Sequence, residues 1–583
     1  MFSFLTSSDS AFNRTIRRRL PWILVALTIL LVVGVRFRLR DMPLERDEGE
    51  YAYAGQLILQ GIPPYQLVYN MKLPGTYVAY AALMAVFGQT PAGIHGGLIL
   101  VNVAAIILVF LLARKLLDEV AGAAAAIAYA LMTLSPSVLG LQAHATHFVV
   151  VPALGGALIL LGAAHSLRLG SLLASGLLFG LAFVMKQHGA LFGVFGVFYF
   201  IWVALRLGPI SRSHGHQHRR KISRAPHDWI KLLKAGGAFG LGLVIPYLFT
   251  FAVLWSAGVS GQFFFWTITY ANKYITAVPL ANASEQLRYA INVVTGPNLF
   301  FWLLAMLGTV VMWWEKRIER ERVFVVALFI CSFLSISIGF YFREHYFILL
   351  LPALSLLAGI AVSRGLYVVK HERTLELIPA LIALLLFVLG FGSEMLTNSS
   401  CWFEYSPVKA CRQIYGSALF PEAVEIAAYL RTNTPPQATI AVIGSEPEIY
   451  FYSRRHSATG YIYMYPLMEW HEYALKMQNE MIREIETAQP EYVIFVGMNQ
   501  SWLLKESSHK KILDWWSEYQ IANYDRVRTV DVKLENLEDE VSNLAKSENF
   551  FSNDPTQNSM VRKTDPKLAG SVFIFKRKSG LKT

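Results

Sequence analysis

The strongest constraint on this chain is a series of long uncharged apolar runs that recur from Leu20 to Gly392. A helix rises about 1.5 Å per residue, so crossing about 30 Å of hydrocarbon takes about 20 mostly apolar residues. Windows of this kind fall near 20–35, 92–112, 119–135, 147–166, 170–186, 189–206, 235–256, 298–314, 323–342, 345–362 and 375–392. They predict a polytopic α-helical membrane protein with about 11 transmembrane helices, two of them short. Only 16% of residues are charged, against about 25% in soluble domains. That deficit excludes a soluble enzyme and a disordered tail protein. Three cysteines in 583 residues cannot frame the fold.

The net charge of +12 is read as membrane topology, with no nucleic-acid partner. With the N-terminus inside, the segments predicted inside hold 22 Lys and Arg, and the short outside loops hold 9. This is the asymmetry the positive-inside rule requires. Residues 1–19 are then a cytoplasmic segment. Arg36, Arg38 and Arg40 follow the first span where a cleavage site would need small residues, so that span reads as an uncleaved anchor. An odd span count places the chain after Gly392 on the extracytoplasmic side. Short Gly- and Ala-rich spans without retention signals point to a bacterial plasma (inner) membrane and a periplasmic C-terminal domain.

The expected organisation is a membrane domain over 20–392, with an informative first external loop at 36–75, followed by a domain over 393–583. In that tail, β-like runs at Ala438–Ile443, Glu491–Gly497 and Ser571–Lys576 alternate with helical periods at Pro421–Arg431 and Leu467–Ala488. Such alternation predicts a small α/β domain. A polar, aromatic-poor stretch near 535–568 predicts a mobile insertion. A bridge between Cys401 and Cys411 is left open by the sequence.

The first external loop carries Arg46-Asp47-Glu48-Gly49-Glu50, then an amphipathic stretch to Gln60. Gly61-Ile62-Pro63-Pro64-Tyr65 breaks it, and Lys72-Leu73-Pro74-Gly75 follows. Acidic residues on a helix along the interface set carboxylates where a lipid-linked phosphate and a water-borne hydroxyl can meet. The competing reading is a solvated acidic face. Arg46 and Lys72 bracket the carboxylates on the side where basic residues are disfavoured, which favours a site.

These residues resemble the C-type membrane glycosyltransferase superfamily, in the branch of dolichyl-phosphate-mannose protein mannosyltransferases, lipid A aminoarabinose transferases and lipopolysaccharide galacturonosyltransferases. Asp47-Glu48, the Gly61–Tyr65 break, Lys72–Gly75 and Phe87-Gly88 follow the order of the family pattern. The run from Gly180 to Gly189 around Lys186 is similar to a second element. Tyr341-Phe342-Arg343-Glu344-His345-Tyr346, running to Pro352, is similar to a third. The resemblance implies transfer of a hexosyl or pentosyl group from a polyprenyl-phosphate donor to an acceptor hydroxyl, with inversion, on the extracytoplasmic face. The acceptor would be an envelope glycolipid, such as lipid A or core, or a protein. Asp47 is the expected general base, with Glu48 beside it. Lys72 and Arg343 are expected on the donor phosphate, with Arg46, Lys186 and His345 as further candidates.

The family often has another acidic residue in the second external loop, where this chain has Gln142, His144 and His147. The two histidines form a possible polar site or make interfacial hydrogen bonds. With no clear third ligand they make weak zinc evidence, so no metal site is assigned. No cofactor is expected, and a divalent metal stays open. His214, His216 and His218 beside Arg219 and Arg220 read as a basic cytoplasmic loop that also touches membrane lipids. The alternatives are a glycolipid transporter or flippase, and a relative that binds without catalysis.

Overall fold

The computed structural model describes residues 11–206, 229–371, 376–533 and 568–579. The histidine-rich loop and the stretch at 535–567 lie outside the described residues. Among those described, nine helices are long and apolar enough to cross a membrane. They account for nine of the eleven expected windows. The windows at 119–135 and 170–186 form helices Glu119–Leu134 and Leu169–Met185, of 16 and 17 residues. At about 1.5 Å per residue these two fall short of the hydrocarbon thickness. A further short apolar helix, Gly75–Phe87, was not anticipated. The window at 345–362 also starts late as an α-helix. Residues Glu344–Leu349 form a 3₁₀ stretch, and the α-helix begins at Leu351 with Pro352 in its first turn, where proline's missing N–H costs nothing.

The chain divides into two compact units, Met1–Phe37 with Leu98–Phe251 and Val278–Ser400, and Arg38–Gly97 with Ala252–Ala277 and Cys401–Thr583. The first unit is helical, and small residues bring its helices close. A Cβ added at Gly176 would lie 2.2 Å from Phe239 O, and one at Gly242 would lie 2.3 Å from Leu173 O. These reciprocal contacts set the crossing of Leu169–Met185 and Trp229–Ser256, as small residues do between membrane helices. The same unit holds a polar pin: Arg36, almost fully buried, donates to Asn102 Oδ1 (3.1 Å), Thr133 O (3.0 Å) and Gly140 O (2.8 Å). Asp118 makes a second pin. It caps Glu119–Leu134 through Ala121 N and takes hydrogen bonds from Arg317 (2.7 Å) and Ser363 (2.6 Å).

The second unit holds a five-stranded sheet. Its strands are β1 (Thr439–Ile443), β2 (His456–Ser457), β3 (Tyr492–Gly497), β4 (Tyr524–Lys533) and β5 (Leu568–Arg577). The order is β2-β1-β3-β5-β4, parallel among β2, β1 and β3 and antiparallel from β3 to β5 and β4. The α/β expectation is therefore met, and the apolar runs form β1, β3 and β5. The expected helix Leu467–Ala488 is two helices, Tyr465–Met468 and Ala474–Ala488. Cys401 and Cys411 are both buried free thiols, so the bridge left open is not formed. Burial pushes the Cys401 thiol up to about 11 and Cys411 to about 12, which leaves both protonated and unreactive at neutral pH.

Arg36→Ala removes a buried guanidinium from four acceptors, on Asn102, Thr133, Gly140 and Leu141. Hydrogen bonds to a charged group are worth about 1.5–3 kcal/mol each, so a drop of several degrees in the thermal midpoint is expected in detergent or nanodiscs. An unchanged midpoint contradicts the pin.

Candidate active site

The acidic segment forms helix Arg46–Leu59, and Glu45 caps it. The Glu45 carboxylate accepts from Glu48 N (2.9 Å), and Glu48 Oε2 accepts from Glu45 N (3.2 Å). This is a reciprocal capping box built with glutamate. The helix is buried from Glu48 to Leu57, so neither a solvated acidic face nor a helix laid open along a surface describes it.

Asp47 and Glu50 lie one turn apart, where i and i+3 side chains share a face. Lys72 Nζ sits between them, 2.8 Å from Asp47 Oδ1 and 2.6 Å from Glu50 Oε2. The bend at Gly61–Tyr65 brings Lys72 back to the helix, and Tyr65 Oη holds it by donating to Lys72 O at 2.7 Å. Glu50 is fully buried. It accepts from Asn70 (3.0 Å) and from Tyr77 Oη (2.5 Å). Burial raises the Glu50 carboxyl above its ordinary range, while Lys72 draws it back. Burial also works against the Lys72 ammonium, but the charges of Asp47 and Glu50 outweigh it and hold Lys72 above its usual value. The ammonium therefore stays charged, with two of its three N–H groups directed at carboxylates.

Glu48 points elsewhere. Its Oε1 lies 2.9 Å from His95 Nε2, and His95 Nδ1 lies 2.8 Å from Arg40 O. A carbonyl only accepts, so Nδ1 carries hydrogen. The contact to Glu48 then holds a second proton, on the imidazole or on the carboxyl. That arrangement makes Glu48 a brace of the helix start.

The C-terminal chain belongs to the same unit and reaches this helix directly. Arg46 donates from Nε to Ser445 O (2.5 Å) and pairs with Glu446 (3.3 Å). Its guanidinium lies over the Tyr465 ring at 5.3 Å. Tyr463 Oη lies 3.2 Å from Asp47 Oδ1 and 3.0 Å from Arg46 O. Gly49 permits the approach, since a Cβ there would stand 2.7 Å from Glu448 N. The structure thus brings Arg46, Asp47, Glu48 and Lys72 together and adds Glu50, Tyr77, His95 and Tyr463, which the sequence reading did not select. The i,i+3 spacing of Asp47 and Glu50 was a usable signal, whereas nothing in the sequence ties Tyr463 to residue 47.

The remaining expected residues lie in the first unit. His144 and His345 stack with ring centroids 4.3 Å apart, 10° from parallel. Lys186 Nζ lies 4.2 Å from the centre of the Tyr346 ring, which also packs against His188 at 4.6 Å. Arg343 is exposed, with its guanidinium 5.7 Å from the Tyr341 ring. Phe340 and Phe342 both have positive φ, 57° and 45°. Such a conformation is costly for bulky residues and concentrates at functional segments. His147 is buried, with Nε2 3.1 Å from Gly140 O.

Comparison with known proteins bears on these features. The family model for dolichyl-phosphate-mannose-protein mannosyltransferases matches residues 73–216, beginning directly after Lys72. Comparison with curated proteins finds no match. The fold is similar to that of archaeal oligosaccharyltransferase AglB from Archaeoglobus fulgidus, solved with an inhibitory peptide and a dolichol-phosphate. That match has TM-score 0.55 and 12% identity over 96% of this chain and 89% of that one. It is also similar to ArnT from Cupriavidus metallidurans bound to undecaprenyl phosphate, with TM-score 0.53 and 16% identity over 81% and 92%. Apo ArnT gives 0.51 over 97% and 98%. The family-model match is therefore local, over residues 73–216, and the similarity to these solved structures is one of fold over most of the chain.

Glu448 supplies a pH test of the packing. It is fully buried, and beyond its own backbone N–H its carboxylate oxygens have no hydrogen-bond partner among the described residues. Burial first, and Glu446 next, push it up to about 8. The folded state then binds a proton that the unfolded state releases near its ordinary value of 4.5. Stability from this group is present at acidic pH and falls as pH rises toward 8, because ∂ΔG/∂pH is negative where the folded state holds more protons. The thermal midpoint of Glu448→Gln is expected to decline less than wild type between pH 5 and 8. Equal slopes contradict the assignment.

Proposed function

We propose that this chain is a membrane glycosyltransferase that moves a sugar from a polyprenyl-phosphate donor to an acceptor hydroxyl on the extracytoplasmic face, with inversion. The observation that carries the reading is the Asp47–Lys72–Glu50 bridge on a buried acidic helix, within a fold similar to proteins solved with polyprenyl phosphates. Asp47 is the general base. It is a quarter exposed, whereas Glu50 is sealed and Glu48 is engaged by His95.

In the step, the acceptor oxygen attacks the anomeric carbon, the bond from that carbon to the phosphate oxygen breaks, and the acceptor's proton passes to Asp47. General-base help of this kind is worth about 10²–10⁴ in rate. The leaving polyprenyl phosphate departs as an anion and needs cationic stabilisation more than a proton. Lys72 supplies its third N–H. Arg343 and Lys186 are proposed as further phosphate ligands on the family resemblance, with His345 a weaker candidate. Arg46 is less suited, because its guanidinium is committed to Ser445 and Glu446. The step is written without a cofactor. The acceptor class remains a glycolipid or a protein, and the N-terminus is placed in the cytoplasm of a bacterial inner membrane on the charge pattern.

The test uses wild type and Asp47→Asn in nanodiscs with a panel of polyprenyl-phosphate sugars and an envelope extract, with free polyprenyl phosphate followed by mass spectrometry. Release by wild type and a loss of at least about 100-fold in the variant are expected. Full activity in the variant rejects Asp47 as base. No release from any donor by folded wild type rejects the transferase and favours the transporter.

A further inference from the structure

The C-terminal domain places one side chain on the base itself, and this inference rests on the reading of Asp47 given above. Tyr463 is buried. Its hydroxyl lies within hydrogen-bond distance of both Asp47 Oδ1 and the carbonyl of Arg46, the residue before it. The local structure fixes that position. The next residue, Met464, donates its backbone N–H to Ser445 Oγ at 2.9 Å. Ser445 in turn is tied to Ser501 through its N–H (2.8 Å) and its hydroxyl (2.5 Å). The β1 end, the short helix Asn499–Trp502 and the Tyr463 segment are therefore locked to one another, and Arg46 Nε anchors to the same Ser445 through its carbonyl. The aromatic ring also presents its face to Lys72, with Nζ 5.5 Å from the ring centre.

Lys72 and Tyr463 are donors of different kinds to Asp47 Oδ1, and the single Tyr463 hydrogen is shared between that oxygen (3.2 Å) and Arg46 O (3.0 Å). Lys72 is a point charge on a flexible stem, bound to both Asp47 and Glu50, and the pull of the leaving phosphate on its third N–H competes with its hold on the base. Tyr463 is a neutral donor on a rigid scaffold. Burial, and then the charges of Asp47 and Glu50, hold its phenol well above the ordinary range, so it keeps its hydrogen throughout.

We propose that Tyr463 is a positioning residue for the base: it holds Oδ1 so that the carboxylate keeps its orientation while Lys72 also serves the departing phosphate. The C-terminal domain is on this account a working part of the transfer site. No proton is gained or lost by Tyr463, and the acceptor's proton still ends on Asp47.

The experiment compares full-length wild type, Tyr463→Phe, Asp47→Asn and Tyr524→Phe in nanodiscs, measuring kcat and KM for the donor together with the thermal midpoint. Tyr524 donates its hydroxyl to Pro490 O in the sheet and controls for loss of a buried phenol elsewhere in the domain. Tyr463→Phe keeps the ring over Lys72 and removes only the hydroxyl. A fall in kcat of about 10- to 100-fold is expected, the range for a hydrogen bond to a charged group, with KM within two-fold of wild type and a midpoint like that of Tyr524→Phe. An unchanged kcat while Asp47→Asn is inactive overturns the role of Tyr463 and leaves the base intact. A raised KM at constant kcat, or a loss of activity matched by a loss of stability, overturns it as well. Activity in Asp47→Asn instead rejects the underlying reading of the base.

Discussion

One ammonium shared by two carboxylates governs the second unit of this protein. Burying Glu50 without a counter-charge would cost several kcal/mol, and that burial is tolerated because Lys72, Tyr77 and Asn70 converge on it. The same ammonium reaches Asp47, so the sealed carboxylate and the accessible one are fixed by one group. Much of the surrounding chain serves that placement. The Pro63-Pro64 bend, with Tyr65 at φ 69°, returns the chain toward the acidic helix, and the Tyr51 ring lies 4.6 Å from Lys72 Nζ.

The acidic helix is built into the C-terminal chain by further contacts. Tyr53 stacks on Tyr450 with centroids 5.2 Å apart, and its hydroxyl accepts from Ser457 N at 2.7 Å. Leu44 N donates to Tyr452 Oη at 2.8 Å. Tyr69 N donates to Gly460 O at 2.7 Å. Backbone groups flanking the acidic helix are thus satisfied by residues some 400 positions later in the chain. Removing that later chain would leave them unpaired, at a cost of about 1–3 kcal/mol for each buried group.

The parts legible in the sequence are those with a local signature. Apolar length marks the spans, and the two windows that fail the length criterion are the 16- and 17-residue helices. Apolar β-runs mark β1 and β3, which sit in the middle of the sheet. The strand Tyr524–Lys533 escaped because it is an edge strand rich in charge, and exposed edges are protected in that way. Asp47 and Lys72 were legible from their pattern and setting. Glu50 is not set apart by composition from the adjacent Asp47-Glu48 pair, although helical geometry aligns 47 with 50. Tyr463 was out of reach, because its contact with Asp47 exists only once β1, the short helix Asn499–Trp502 and the acidic helix have assembled.

The central claim is that Lys72 compensates Glu50, and a stability cycle tests it most directly. Thermal midpoints of Lys72→Met, Glu50→Gln and the double variant would be measured in nanodiscs at neutral pH. Lys72→Met alone strands a buried carboxylate, whereas the double variant removes the charge as well. The account predicts that the double variant is more stable than Lys72→Met, as residues in direct contact couple. Losses that simply add would contradict it.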